Sequence, residues 1–223
     1  MKKPKIVILL IILILLLLGV LLAYQQDIND TKELKPMIYP YPEQEQRVSV
    51  SLDYNGKFTH VYPSFSANTT WQVTAKPDGT IRCNNREYYA LFWEGVKDKT
   101  YKMDEGFCVK GSDTEKFLEE KLETLGLNHR ETNEFIVYWL PQMEDNPYNI
   151  ITFQDRAYTN DAKLTIVPKE DTLIRVFMTW YPSAKPVDIK EQTLSSMKRH
   201  GFSGCRVGRC KNKVKRQPIT VKW

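Results

Sequence analysis

The sequence predicts an α+β fold: an antiparallel β-rich ectodomain with two consecutive helices, preceded by one transmembrane helix. Three observations carry this. Apolar and polar residues alternate with period two from residue 47 onward, as in half-buried strands. Between Ser112 and Pro141 the apolar spacing changes to that of two helices. Ahead of both, residues 6–24 form a run of 19 residues without a charge, mostly Leu and Ile.

Taken in order, three lysines in the first five residues precede that apolar run. As a helix it would reach roughly 28 Å, close to the hydrocarbon thickness of a bilayer. The flanking lysines put the N-terminus in the cytoplasm and the rest outside, in a single-pass cell-membrane topology. Tyr24 stands where a cleavage site would want a small residue, so residues 1–24 read as an uncleaved signal anchor. Residues 25–46 are polar and carry Pro36, Pro40 and Pro42, the composition of an extended stalk. The ectodomain is expected over 47–203, leaving a basic tail over 204–223.

Within the ectodomain, VSVSLDY, the turn pair Asn55-Gly56 and FTHVYP read as a hairpin. TWQVTA, TIRC, EYYALFW and GFCVK supply further strands, with Pro77-Asp78-Gly79 as a turn. The first helix starts at Ser112 or Asp113 with Glu115 as a capping acid, and Gly126 ends it. The second starts at Asn128 with Glu131 three residues on and closes at Pro141. NIITF, KLTIV and LIRVFMTWY follow as strands, and residues 189–200 read as a last helix. The segment from Asn133 to Trp180 holds the densest aromatic and β-branched content outside the N-terminus, so the core is expected there.

Chemistry is sparse. The net charge of +5 is concentrated in seven Lys or Arg between Gly204 and Trp223, with no acid among them. The rest of the chain is slightly acidic, which argues against a nucleic-acid partner. Phosphate loops, paired zinc ligands and a nucleophile elbow are absent from the sequence, so no catalytic residue, metal set or cofactor is expected. His60, His129 and His200 are scattered. Cys83 and Cys108 are candidates for a disulfide, with a reduced buried thiol the alternative for each.

The candidate ligand-binding residues are Glu94, Asn133, Glu134, Tyr138 and Trp139. Carboxylates beside aromatic rings suit sugars, because rings stack on sugar faces while acids accept hydroxyl protons; paired acids can also hydrolyse glycosidic bonds. A helix cap or ion pair for Glu134, a strand end for Glu94 and a core position for Trp139 are the plainer alternatives. The function expected is therefore a membrane-anchored, noncatalytic envelope or surface module, structural or binding. Its partners would be the membrane through the N-terminal helix and an envelope glycan or protein. The alternative is a carboxylate-dependent hydrolase of cell-envelope glycans.

WQVTAKPDGTI, YYALFWEG, the run from GFCVKGSD to NPYNIITFQ, AKLTIVPKEDTLIRVFMTW and the closing IKEQTL with GF together resemble a family of uncharacterised bacterial exported proteins. The resemblance implies a fold and a location, and transfers no catalytic residue. It also implies an ending GF followed by VVEWGG, where this chain reads GFSGCRVGRC. Removing one base from suitable codons for Gly-Cys-Arg-Val-Gly-Arg-Cys yields that ending, so the tail reads as out of frame. On that reading a strand VVEWGG beside LIRVFMTW has been lost, and deleting residues 205–223 should change stability little.

Overall fold

The computed structural model describes residues 11–18, 31–97, 100–154 and 156–211. The chain runs β1 (Thr31–Tyr41), β2 (Gln46–Tyr54), β3 (Lys57–Tyr62), β4 (Thr70–Ala75), β5 (Ile81–Cys83), β6 (Arg86–Tyr88), β7 (Leu91–Lys97) and β8 (Glu105–Lys110). Then come α1 (Thr114–Thr124), α2 (His129–Trp139), β9 (Tyr148–Gln154), α3 (Arg156–Asp161), β10 (Ala162–Val167), β11 (Thr172–Ser183), β12 (Lys190–Glu191) and β13 (Ser203–Lys211).

Eight strands form one sheet in the order β12-β8-β9-β11-β13-β1-β7-β3, and five form another in the order β10-β2-β4-β5-β6. One core lies between the sheets, where Ile38, Leu91, Trp93 and Phe177 meet Val50, Leu52, Trp71 and Ile166. A second lies on the other face of the large sheet, where Tyr39, Val176, Trp180 and Val207 meet Leu118, Leu122, Phe135 and Trp139 of the helices. The large sheet is thus buried on both faces. That is why β11 reads as an unbroken apolar run: its even residues from Ile174 to Trp180 face the helices while Phe177 faces the small sheet.

Helix α2 begins as its sequence requires. The Asn128 side chain accepts from the Glu131 N–H, and the Glu131 carboxylate accepts from the Asn128 N–H. For α1 the Asp113 side chain makes no capping bond to the helix, its Oδ1 accepting from the Ser112 hydroxyl instead, and a 3-10 turn over Gly111–Asp113 leads the chain in.

Several expectations are corrected. Among the described residues no helix is long and apolar enough to cross a membrane; of the 1–24 run only residues 11–18 are described, as helix. The fold of the described residues is therefore β-rich with two consecutive helices, and the transmembrane helix expected ahead of it is not found among them. Nor is the larger sheet antiparallel throughout, since β13 runs parallel to β11 and β12 parallel to β8.

The 25–46 stretch is not a stalk where it is described. Residues 31–41 are β1, an interior strand paired with both β13 and β7. Its prolines fit because both registers shift between Glu33 or Leu34 and Met37, and Pro36 falls in that bulge. Pro40 lies beyond the last β7 partner, Ile38. The folded unit thus starts before residue 47.

The tail also carries structural weight. Ser203–Lys211 is an interior strand of the large sheet, parallel to β11 and antiparallel to β1, with Cys205, Arg206, Val207 and Cys210 buried. The position expected for VVEWGG beside LIRVFMTW is filled in the present frame. Residues 212–223 of the basic run lie outside the described residues.

β2 and β3 do not form a hairpin: the chain changes sheets at Asn55-Gly56, β2 pairing with β4 and β10 while β3 pairs with β7. The Tyr54 ring lies against Phe58 and Trp93 at this corner, where a Cβ on Gly56 would fall 2.5 Å from Tyr54 Cε1. Residues 189–200 are not a helix either. Their side chains bond across the sheet end: Gln192 to the Phe153 N–H and C=O, Arg199 to the Gly126 carbonyl. Cys83 and Cys108 are free thiols, held apart in different sheets.

Candidate functional site

The bulge in β1 presents Lys35 in a left-handed conformation, φ 51°, where a non-glycine residue is strained. Its surroundings hold it there. The backbone N–H donates to Glu94 Oε1 at 3.3 Å, and the ammonium donates to the Glu134 carbonyl at 2.9 Å. The ammonium also lies 3.7 Å from Glu134 Oε2 and 4.8 Å from the centre of the Tyr138 ring. Burial pushes the Lys35 ammonium below its ordinary range, and Glu134 offsets part of that.

Each neighbour arrives by the geometry of its element. Glu94 lies on β7 opposite His60 of β3, whose Nδ1 is 3.2 Å from Glu94 Oε2. Arg130, Glu134 and Tyr138 are spaced four apart on the outer side of α2, whereas Glu131, Phe135 and Trp139 form its buried side. The Tyr89 hydroxyl donates to Glu134 Oε2 at 3.5 Å, and Arg130 stacks on the Tyr89 ring at 5.3 Å. Burial, then Glu134, pushes the Tyr89 hydroxyl above its ordinary range.

Glu134 and Arg130 border a depression across Lys35, while Lys35, Glu94, Tyr89 and Tyr138 rim the adjoining cleft of about 470 Å³, within the size range of small-ligand sites. Its walls carry Tyr62, Tyr88, Tyr89, Phe92 and Tyr138 together with Lys35 and Glu94. Tyr62, Tyr89 and Tyr138 are 55%, 42% and 41% exposed, an unusual outlay of ring surface that faces solvent at one place. Tyr62 meets Tyr88 edge to face at 5.4 Å, which fixes both rings.

Of the residues expected from sequence, Glu94, Glu134 and Tyr138 converge on Lys35, and Asn133 borders an adjoining depression with Lys35 and Glu134. Trp139 does not join them. It is 1% exposed in the helix-side core, where its ring supports Tyr138 edge to face at 4.5 Å. Lys35, Tyr62, Tyr88, Tyr89 and Phe92 were not expected at the site. The tyrosine pair 88–89 beside Asn84-Asn85 was the available signal, because a strand with one solvent face has no use for two adjacent rings.

A wider groove of about 950 Å³ lies between β8, α1 and residues 186–191. Lys121 stacks there on Phe107 and Phe117, and lysines alternate with acids along its rim. Its polar groups do not converge as those around Lys35 do. Among the described residues no three His, Cys, Asp or Glu side chains cluster as a metal site would require.

No family model and no solved structure matches the chain. It is 46% identical over 74 residues to the uncharacterized protein in bglA 3'region of Butyrivibrio fibrisolvens, a match covering 33% of this chain and 77% of that protein. The chain belongs to the same family as that uncharacterised Butyrivibrio protein.

Proposed function

We propose that the chain is a noncatalytic binding module that holds a glycan in the Lys35 cleft. The observation that carries this is the convergence of three solvent-facing tyrosine rings on carboxylates already engaged by protein donors. Rings of this kind bind the apolar faces of sugars, while Glu94 and Glu134 keep lone pairs for hydroxyls. A glycosidase instead needs two carboxyls facing each other across the scissile bond, one of them giving up a proton. Here both are tied to the same lysine, Glu94 through its backbone N–H and Glu134 through its ammonium. That arrangement fixes Lys35 and leaves neither carboxylate unengaged for acid or base work.

Glycan-array screening followed by calorimetry tests the reading. Binding without turnover is expected, lost in Tyr89→Ala and weakened but retained in Glu94→Gln and Glu134→Gln. Turnover abolished by either Gln substitution would replace the module with a hydrolase. An envelope glycan as ligand also agrees with the extracytoplasmic location expected from the N-terminal sequence. Protease shaving of intact cells tests that separately, and a folded part protected from external protease would overturn the location alone.

A further inference from the structure

We infer that the cleft is the middle of a longer groove and that its ligand is an internal stretch of a neutral, linear polysaccharide. This rests on the glycan reading above and narrows it. Lys35 borders both the aromatic cleft and a second depression of about 430 Å³, where Arg130, Asn133 and Glu134 stand at the surface. Glu87 borders both the cleft and a third depression of about 570 Å³, alongside Arg82, Asn84 and Asn85. Lys35 does not reach the third, nor Glu87 the second, so the three lie in series with the tyrosines in the middle. A track of this form takes a chain that passes through, rather than a chain end or a compact ligand.

Charge decides the class of chain. In and beside the central cleft the charged groups are matched by the protein itself, Lys35 with Glu134 and both Arg82 and Lys76 with Glu87, and His60 stands against Glu94, while Arg130 and Arg86 stand singly at the surface of the two flanking depressions. A chain charged at every unit would bring a carboxylate or sulfate into the central cleft, where it would have to displace an existing partner. Hydroxyls, which both donate and accept, add to these pairs without breaking them. The exposed amides of Asn133, Asn84 and Asn85 flank the rings on either side, as suits uncharged sugar units.

The test is calorimetric titration of the full chain with neutral β-linked gluco- and xylo-oligosaccharides from disaccharide to hexasaccharide, and with acidic oligogalacturonides of matching length. Affinity for the neutral series should rise about tenfold or more with length. It should change little up to about 0.5 M salt, because no net ligand charge is screened. Asn84 and Asn85 have φ of 52° and 59°, so Asn84→Gly with Asn85→Gly keeps the turn while removing both amides. That variant should lose affinity for the hexasaccharide and keep that for the disaccharide, with an unchanged melting curve. Equal affinity at all lengths would overturn the extended track and leave the cleft standing. Preference for the acidic series would overturn neutrality. Failure to bind any sugar would remove the underlying reading as well.

Discussion

At Lys35 the backbone strain and the polar contacts can be separated by experiment. Lys35→Gly removes the ammonium but relieves the left-handed conformation, whereas Lys35→Ala removes the ammonium and keeps the strain. Thermal melts should place the Gly variant above the Ala variant by about 1 kcal/mol. Equal midpoints would mean that the bulge relaxes. Trp139 and Tyr89 make the complementary contrast. Trp139→Ala opens a cavity between α2 and the large sheet and should cost about 3–5 kcal/mol. Tyr89→Ala removes a ring that is 42% exposed and should cost about 1 kcal/mol or less while abolishing ligand binding.

Among the elements, β13 sets the sharpest expectation. A chain ending at Phe202 loses the strand that pairs with both β11 and β1, and the large sheet is split into two exposed edges. Such a chain should show no cooperative thermal transition, whereas one ending at Lys211 should melt like the full chain. A cooperative transition after removal of β13 would return the tail to the minor role its composition suggests. That composition explains why β13 could not be read in advance. SGCRVGRC has few large apolar residues, and it fits an interior position because Gly204 leaves room, a Cβ there standing only 2.9 Å from Ile166 Cδ1, and because the buried Arg206 guanidinium donates to the Ala162 carbonyl and lies over the Trp93 ring. β1 was hidden by prolines that normally exclude an interior strand, and only the bulge beside Lys35 makes room for them. The two helices were legible because their boundaries lie in local chemistry, as the Asn128–Glu131 caps and Pro141 show. The site was legible in part. Glu94, Glu134 and Tyr138 stand beside aromatic runs, but Lys35 reaches Glu94 only through the pairing of β1 with β7 and reaches Glu134 and Tyr138 only where α2 packs on the large sheet, long-range facts that no local pattern carries.

For the molecule as a whole, alkaline pH is the expected weakness. Tyr39 and Tyr41 of β1 and Cys205 of β13 gather with Glu131 and Arg199 where the large sheet meets α2, and Arg199 pairs there with the fully buried Glu131 carboxylate. Burial raises the Cys205 thiol well above its ordinary 9.0 and both tyrosines above 10.0. The folded state keeps these protons after the unfolded chain has released them, so their stabilisation is full below about pH 9 and is lost as pH rises. Lys35 acts in the opposite sense, since its folded form gives up a proton first. Burial also raises the Tyr89 and Tyr181 hydroxyls, so five groups against one predict a falling thermal midpoint above about pH 9, with a later onset in Cys205→Ala. A midpoint that holds constant to about pH 10.5 would contradict this.

The placement of β13 beside β1 has a consequence for how the molecule is made. Glu33 pairs with Cys210 and Tyr41 with Ser203, so the strand that leaves the ribosome early waits for a partner synthesised near the end of the described chain. Vectorial folding can build the small sheet from β2, β4 and β5 and join β10 to it later. The large sheet cannot close until translation has passed residue 211. Until then β1, with its buried Met37, Ile38 and Tyr39, exposes an open edge and apolar side chains to the surroundings. During synthesis this nascent strand is therefore the segment most in need of a chaperone, and a stalled ribosome short of β13 would display it.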